Sequence, residues 1–197
     1  MTTRNFFGAS GGVGTTTVAV AHAVQLSSAG LHTLLIDASD GGARLALAMP
    51  WVEPSTLTDD HVYAVTPDLS IARADDDDVV AGLVRHHTAA HVAIDWGRRQ
   101  PPNLEGERIC VITNDYGSLQ RAVADYRADA YVLSRYDSRR ALTVTDVERA
   151  VGERPRVVIN EEPMIARAVD AGLLRARLPH ALDNQLQQLL LAPTQQG

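Results

Sequence analysis

Short apolar runs alternate along this chain with segments in which apolar residues recur at helical spacing. This pattern predicts strands that alternate with helices. The strands are indicated by short apolar runs that end in a polar or turn residue, a pattern typical of parallel strands buried on both faces. We place them at Thr3–Gly8, His32–Asp37, Val62–Val65, Leu69–Ala72, His91–Asp95, Arg108–Thr113, Ala130–Ser134 and Arg156–Asn160.

Helical periodicity separates most of these runs, because apolar residues recur three or four positions apart. Helices are expected at Val18–Ala29, at Ala43–Pro50 and at Leu142–Val151, the last with a capping box of Thr145 and Glu148. A further helix presents one apolar face that consists of Leu119, Val123 and Tyr126.

A last helix ends at Pro193 and carries an apolar stripe, which we interpret as core rather than as a groove for a partner. The stripe consists of Leu182, Leu186, Leu189 and Leu190. Strands that alternate with helices over short connections predict right-handed βαβ units. We therefore expect an α/β fold, with a mostly parallel doubly wound sheet and helices on both faces. A length of 197 residues favours a single domain, residues 1–197.

A glycine-rich turn joins the first strand to the first helix and reads GASGGVGTTT from Gly8 to Thr17. Glycines let the backbone approach an anion closely, and the N–H groups of such a turn and helix start form a cradle for phosphate. The alternative is a tight turn that binds nothing. The candidate phosphate-binding residues are Gly11, Gly12, Val13, Gly14, Thr15, Thr16 and Thr17.

Two of the apolar runs end in an aspartate, Asp37 and Asp95. In phosphate-loop proteins such a strand-end aspartate holds Mg²⁺ directly or through water. The carboxyl ends of parallel strands meet at one edge of the sheet, so both aspartates converge with the glycine-rich turn. Thr16 stands where a phosphate-loop hydroxyl ligates Mg²⁺. We therefore predict a magnesium site of Thr16, Asp37 and Asp95. The alternative for Asp95 is an aspartate that only ends a strand, as many strands do.

The turn resembles the deviant phosphate loop of the ParA/MinD ATPases, which reads K-G-G-V-G-K-T. Ser10 and Thr15 replace the two lysines of that pattern, and the three consecutive threonines look most like the CpaE/TadZ-like branch. The resemblance covers nearly the whole chain. It implies a phosphate-loop NTPase fold of the ParA/MinD type, with ATP and Mg²⁺ as cofactors.

The segment that begins at Asp37 is similar to the D-x-D-P-Q switch of that family. Asp37 matches its first aspartate, whereas Ser39 stands where the second aspartate would position the attacking water. Asp40 follows one position later and is the candidate catalytic residue. The sequence leaves open whether Asp40 reaches that water or only forms an Asx-type turn.

The second half of the chain extends the resemblance. The sequence from Ser134 to Asp137 is similar to the family's N-R-Y segment, and that from Asn160 to Pro163 to its I-P-x-D-P segment near the adenine. The resemblance implies that the nucleotide is also bound by Arg135, Asn160, Glu162 and Pro163.

Composition restricts the function further. All 18 basic residues are arginine, so no lysine of this chain can reach a bound phosphate. A net charge of −6 argues against broad electrostatic attachment to DNA. No apolar run is long enough to span a membrane, and the start of the chain lacks the pattern of a signal peptide, so we expect a cytoplasmic protein. The acidic run Asp75–Asp78 indicates a solvated helix start rather than a metal site.

These patterns predict a ParA/MinD-like nucleotide-binding protein with a degenerate Walker A motif. Bound ATP and Mg²⁺ would assemble a homodimer that partitions DNA or positions a protein complex, with slow or no hydrolysis and at most weak ATPase activity. The partner would be a ParB-like or positioning protein. The alternative is a nonhydrolysing scaffold whose assembly does not depend on nucleotide. The candidate DNA-binding residues are Arg135, Arg139, Arg140, Arg154 and Arg156.

Overall fold

One eight-stranded sheet runs through the computed structural model, which describes residues 1–125 and 127–191. The strand order is β3-β4-β2-β5-β1-β6-β7-β8, and every pairing is parallel except that of β3 with β4. The strands are β1 Thr2–Gly8, β2 Thr33–Asp37, β3 Val62–Thr66, β4 Leu69–Arg73, β5 His91–Asp95, β6 Glu107–Ile112, β7 Ala130–Tyr136 and β8 Val157–Asn160.

Helices connect most of the strands, in agreement with the predicted alternation. They are α1 Thr15–Ser28, α2 Gly42–Ala46, α3 Asp77–His86, α4 Tyr116–Asp125, α5 Val144–Val151, α6 Pro163–Asp170 and α7 His180–Leu191. Within the described ranges, no helix has both the length and the apolar character that a membrane crossing requires.

Each face of the sheet carries its own hydrophobic core. One core includes buried side chains of α1, α2 and α7, such as Val20, Ala43 and Leu186. The other includes buried side chains of α3, α4 and α5, such as Leu83 and Val147. Helices thus cover both faces, which confirms the predicted doubly wound α/β sheet.

Two apolar helix faces were predicted, and the structure confirms only one of them. On α7, Leu182, Leu186 and Leu189 are fully buried, as expected of a core stripe. On α4, Leu119 is buried but Val123 is 57% exposed. The core contact is made instead by Ala122, three residues after Leu119, which places Val123 beyond the edge of the contact. Two residues of these predictions, Tyr126 and Pro193, lie outside the described residues.

The acidic run forms the start of a helix, as predicted. Asp76 is the N-cap of α3, and its carboxylate accepts hydrogen bonds from the backbone N–H groups of Asp78 and Val79. Carboxylates in this position satisfy donors that a helix start otherwise leaves unpaired. No group of three or more His, Cys, Asp or Glu side chains that could hold a metal occurs in the described part of the chain.

The capping box of α5 lies two residues earlier than the sequence pattern indicated. The Thr143 hydroxyl accepts a hydrogen bond from the Asp146 N–H, and the Asp146 carboxylate accepts one from the Thr143 N–H at 2.9 Å. The prediction of Thr145 and Glu148 was wrong because the helix already begins at Val144. Both pairs share the same spacing, so spacing alone could not separate them.

We expect Thr143→Ala to lower the free energy of unfolding by about 1 kcal/mol, the usual cost of a lost N-cap. Thr145→Ala is the matched control, because Thr145 is exposed inside the helix, where alanine is the better helix former. Urea unfolding of both variants measures the difference. A larger loss for Thr145→Ala would support the cap predicted from the sequence.

Candidate functional site

A cavity of about 1590 Å³ opens at the carboxyl ends of the central strands. This edge is where ligands bind in open α/β sheets, since the chain crosses there from one half of the sheet to the other. The cavity is lined by all residues predicted to bind the nucleotide and by Asp40: Gly11, Gly12, Val13, Gly14, Thr15, Thr16, Thr17, Asp40, Arg135, Asn160, Glu162 and Pro163. The residues selected from the sequence therefore lie around one cavity in the structure.

The glycine-rich turn presents an open backbone surface to the cavity. Gly12 and Gly14 adopt positive φ angles of 75° and 91°, which glycine tolerates best. A Cβ atom at Gly12 would meet no atom within 4 Å. Helix α1 begins at Thr15, and its N-cap, Gly14, provides no side-chain acceptor for the first N–H groups. These donors can therefore bind an anion.

Thr15, at the position of the missing lysine, places its hydroxyl against Gly8 at the end of β1. It is buried, with 6% of its surface exposed. A methyl group at Gly8 would overlap the Thr15 hydroxyl oxygen and would lie 2.8 Å from a Val13 methyl. The Thr15 hydroxyl thus packs against the end of β1 at the base of the turn, and it brings no charge to the phosphate position.

The two strand-end aspartates lie side by side below the cavity. Asp37 and Asp95 are register partners on β2 and β5, and both are buried. The Ser39 hydroxyl lies between them, 2.8 Å from Asp37 Oδ1 and 3.3 Å from Asp95 Oδ2. Asp37 also accepts hydrogen bonds from the backbone N–H groups of Ser39 and Ala43. Topology therefore brings together two carboxylates that are 58 positions apart in the sequence.

The environment of Asp95 disfavours its charged form. Burial, and to a lesser degree the charge of Asp37, raise the pKa of Asp95 to about 6, although hydrogen bonds from Thr16, Ser39 and the Gly97 N–H oppose the rise. Neither aspartate forms an ion pair with any arginine or histidine of the described ranges.

A divalent cation would relieve the cost of holding these two carboxylates together in a buried site. Carboxylate and hydroxyl oxygens are ligands that Mg²⁺ prefers. The donor set of Thr16, Asp37 and Asp95 thus fits Mg²⁺.

Asp40, the candidate catalytic residue, is exposed at the wall of the cavity. Its side chain forms no hydrogen bond with any other described residue. Ser39, not Asp40, contacts the carboxylate pair. A catalytic role for Asp40 therefore stays a prediction.

Arg135 bridges the two sides of the cavity. Its guanidinium donates hydrogen bonds to the Gly12 carbonyl at 2.9 Å and to the Glu161 carboxylate at 3.0 Å. Its backbone has a φ angle of 50°, which is uncommon for a residue other than glycine. Nearby, Glu162 is the N-cap of α6 and Pro163 occupies the first turn of that helix. Arg135 thus links the phosphate loop to the segment that the family resemblance assigns to the adenine.

The five arginines proposed for DNA do not form one surface, so the predicted patch needs correction. Three of them lie at or after the carboxyl end of β7, whereas Arg154 and Arg156 precede β8. Because β7 and β8 are parallel, the two sets lie at opposite edges of the sheet. Arg156 is also ion-paired with the buried Glu107, which Arg4 contacts as well.

The sequence pattern missed the role of the segment that follows Asp95. Trp96 is fully buried, and its indole N–H donates a hydrogen bond to Asn5 Oδ1 at 3.0 Å. Arg99 stacks on the Trp96 ring and donates a hydrogen bond to the Ala38 carbonyl at 2.9 Å. Arg98, between them, faces the phosphate loop. The only signal in the sequence was the unusual Trp-Gly-Arg-Arg run itself.

Comparisons with solved structures agree with this architecture. A ParA family ATPase from Chlorobium tepidum superposes with a TM-score of 0.81 and 18% identity, over 96% of this chain and 99% of that one. MinD from Aquifex aeolicus, in its complex with MinC, superposes with a TM-score of 0.78 and 16% identity, over 98% of this chain and 97% of that one. MinD from Pyrococcus horikoshii with Mg-ADP superposes with a TM-score of 0.75 and 19% identity, over 95% of this chain and 93% of that one.

This chain has the ParA/MinD fold. No protein-family model matches its sequence, and no curated protein matches it either. At identities below 20% the likeness establishes the fold alone. The ParA/MinD fold confirms the fold class predicted from the strand pattern. The degenerate loop, the CpaE/TadZ-like branch and the roles of the individual residues remain predictions.

Proposed function

We propose that this protein is a ParA/MinD-like nucleotide switch, with residues 1–197 acting as one domain. It binds ATP with Mg²⁺ in the cavity, dimerises in that state and positions DNA or a protein complex inside the cell. One observation carries the proposal. An open phosphate loop at an uncapped helix start lies at the same edge of the sheet as two buried carboxylates that have no cationic partner in the described chain.

Nucleotide binding can survive the loss of both lysines. The backbone N–H groups of the loop, the start of α1 and Mg²⁺ all remain as sources of positive potential. A lost charged hydrogen bond costs about 1.5–3 kcal/mol. We therefore expect affinity to be lower by roughly ten- to a hundredfold than in a relative that carries the lysine.

Hydrolysis is expected to be very slow or absent. Phosphoryl transfer depends on neutralising the charge that spreads over the γ-phosphate and the leaving oxygen. Ser10 and Thr15 stand in place of the lysines that the family resemblance assigns to this task. Ser39, at the position of the water-positioning aspartate, is hydrogen-bonded to Asp37. Nucleotide would thus act mainly by being bound, and release would reset the switch.

The deciding experiment measures oligomeric state and phosphate release together. Light scattering should give a monomer without nucleotide or with ADP, and a dimer with ATP and Mg²⁺. Phosphate release should be far below that of relatives with both lysines. Equal assembly in all three states would favour the nucleotide-independent scaffold. No thermal shift and no heat of binding at millimolar ATP·Mg²⁺ would contradict the proposed function itself.

A further inference from the structure

We propose that Arg98 supplies the positive charge that the phosphate loop lacks, by binding the phosphates of the nucleotide from its position beside the loop. The inference rests on the proposed function, because it assigns a residue to the nucleotide site. Nothing in the phosphate-loop pattern points to Arg98, which lies in a different connection, after β5.

The position of Arg98 is the first support. A Cβ atom built on Gly11 would lie 3.4 Å from Arg98 Cδ and 3.7 Å from Arg98 Nη1. The guanidinium therefore lies against the glycine-rich turn itself. Arg98 and Gly11 both line the cavity. A phosphate held by the turn would lie within reach of this side chain, since an arginine needs only small torsional changes to move its terminal group by a few ångströms.

The second support is that the Arg98 guanidinium has no protein partner in the described ranges. Most of the other arginines that line the cavity are hydrogen-bonded or ion-paired within the protein. Arg73 is paired with Asp75, and Arg139 with Asp137. Arg99 is held by Asp77 and the Ala38 carbonyl, and Arg135 by Glu161 and the Gly12 carbonyl. A cation beside an anion cradle, with its own donors unused, is arranged to meet an anion.

Chemistry favours this arginine as a replacement for lysine. The guanidinium remains charged at any physiological pH and presents several donors in a planar fork that matches phosphate oxygens. The start of the connection after β5 is held on both sides of Arg98. Gly97 N–H donates a hydrogen bond to Asp95 Oδ1, and Arg99 is fixed as described above. The backbone of Arg98 is thus positioned while its side chain stays free to close on a ligand.

Arg121, on α4, also lines the cavity and is the competing source of charge. The atoms nearest to the Cβ position of Gly11 belong to Arg98, and none of the atoms nearest to the other loop glycines belongs to Arg121. Arg85 serves as the charge-matched control, because it is exposed on α3 and does not line the cavity. Each of these arginines can be replaced by alanine with the same change in net charge.

The test compares Arg98→Ala, Arg98→Lys, Arg121→Ala and Arg85→Ala by calorimetry with three probes. The probes are ATP with Mg²⁺, inorganic tripolyphosphate with Mg²⁺, and adenosine. Arg98→Ala should weaken both phosphate-bearing probes by about ten- to a hundredfold, the usual effect of one lost charged hydrogen bond, and leave adenosine unchanged. Arg98→Lys should lose less affinity for the two phosphate-bearing probes than Arg98→Ala does. Arg85→Ala and Arg121→Ala should bind all probes like the wild type.

The outcomes separate the two proposals. If the wild type binds ATP and Arg98→Ala binds it equally well, the assignment of Arg98 is wrong while the nucleotide site stands. If Arg121→Ala is the variant that loses affinity, the charge comes from α4 and the assignment is again overturned. An equal loss for adenosine would show that Arg98 acts on the base or on the fold. If the wild type binds neither ATP nor tripolyphosphate, the proposed function fails.

Discussion

Gly12→Val is expected to lower the affinity for ATP·Mg²⁺ by about a hundredfold or more. Gly12 lines the cavity, and the space above its Cα atom is empty. A valine side chain there would occupy the volume that the phosphates need, and it would keep them away from the backbone N–H groups. Loss of two charge-assisted hydrogen bonds, at about 1.5–3 kcal/mol each, accounts for the expected size.

A second effect of the same substitution has to be separated from the first. Valine is strained at the φ angle of 75° that Gly12 adopts, which costs on the order of 1–3 kcal/mol of stability. Gly152→Val is the matched control, because Gly152 has a φ angle of 84°, is equally open and ends α5 away from the cavity. Both variants should melt earlier than the wild type, and only Gly12→Val should lose ATP. Unchanged binding by Gly12→Val would show that the phosphates are not bound at this turn.

Asp95→Asn is expected to stabilise the protein without metal by about 2–3 kcal/mol at pH 8, and to abolish the stabilisation by ATP·Mg²⁺. Burial raises the pKa of Asp95 from an ordinary value of 3.8 to about 6 in the folded state. The folded protein therefore binds this proton more tightly than the unfolded chain does. Between about pH 4 and pH 6 the folded state carries more protons, so stability falls as the pH rises through this window.

The size of the penalty follows from the difference in pKa. A difference of about two pKa units corresponds to about 3 kcal/mol of folding stability, and the protein has lost all of it above about pH 6. An asparagine carries no charge to bury, so the gain should be about 3 kcal/mol at pH 8 and only about 1 kcal/mol at pH 4.5. Urea unfolding in EDTA at the two pH values measures it. A destabilised Asp95→Asn at pH 8 would mean that the buried charge is compensated by the protein alone.

Asp37→Asn is the informative comparison, because its expected effect has the opposite sign. The Asp37 carboxylate accepts hydrogen bonds at both oxygens, from Ser39 on one side and from the Ala43 N–H on the other. Each Asp37 oxygen faces a backbone N–H, so an asparagine amide would turn its NH₂ group toward a donor that cannot accept. At Asp95 only one oxygen faces a backbone N–H, and the other faces the Ser39 hydroxyl, which can accept from an amide. We expect a loss of about 1–3 kcal/mol in the free energy of unfolding at pH 8. The Asp37 carboxylate would thus stabilise the fold, whereas the charge of the neighbouring Asp95 carboxylate would destabilise it.

Much of the fold could be predicted from the sequence because the strands are buried on both faces. Such strands read as short apolar runs, and the predicted positions of β2, β5 and β8 differ from the observed ones by at most one residue. Element boundaries set by local hydrogen bonds were less certain. Thr143 and Thr145 both have an acidic residue three positions later, and the structure alone shows which of them begins the helix.

The site could be predicted to the level of its residues, because phosphate loops depend on glycine and hydroxyl side chains in a fixed order along the chain. The sequence thus identified the glycine-rich turn as part of the cavity lining and showed that two strands end in an aspartate, but it did not identify Arg98 or Arg99. Spacing along the chain says nothing about register across a sheet. Only the tertiary structure decided that Asp37 and Asp95 share one hydroxyl, Ser39, and that both are buried.

Side-chain direction likewise required the structure. The composition showed that only arginine could bring a positive side chain to the phosphate, but not which of the 18 would do so. Arg135 lies near the end of β7 and Arg98 in the connection after β5. Strand order brings both to the glycine-rich turn, where Arg135 is held by Glu161 and Arg98 is free of protein partners in the described ranges. The sequence therefore determined the fold class and the composition of the site. The packing of distant connections decided which charges face the cavity, since those contacts join residues that are far apart in the chain.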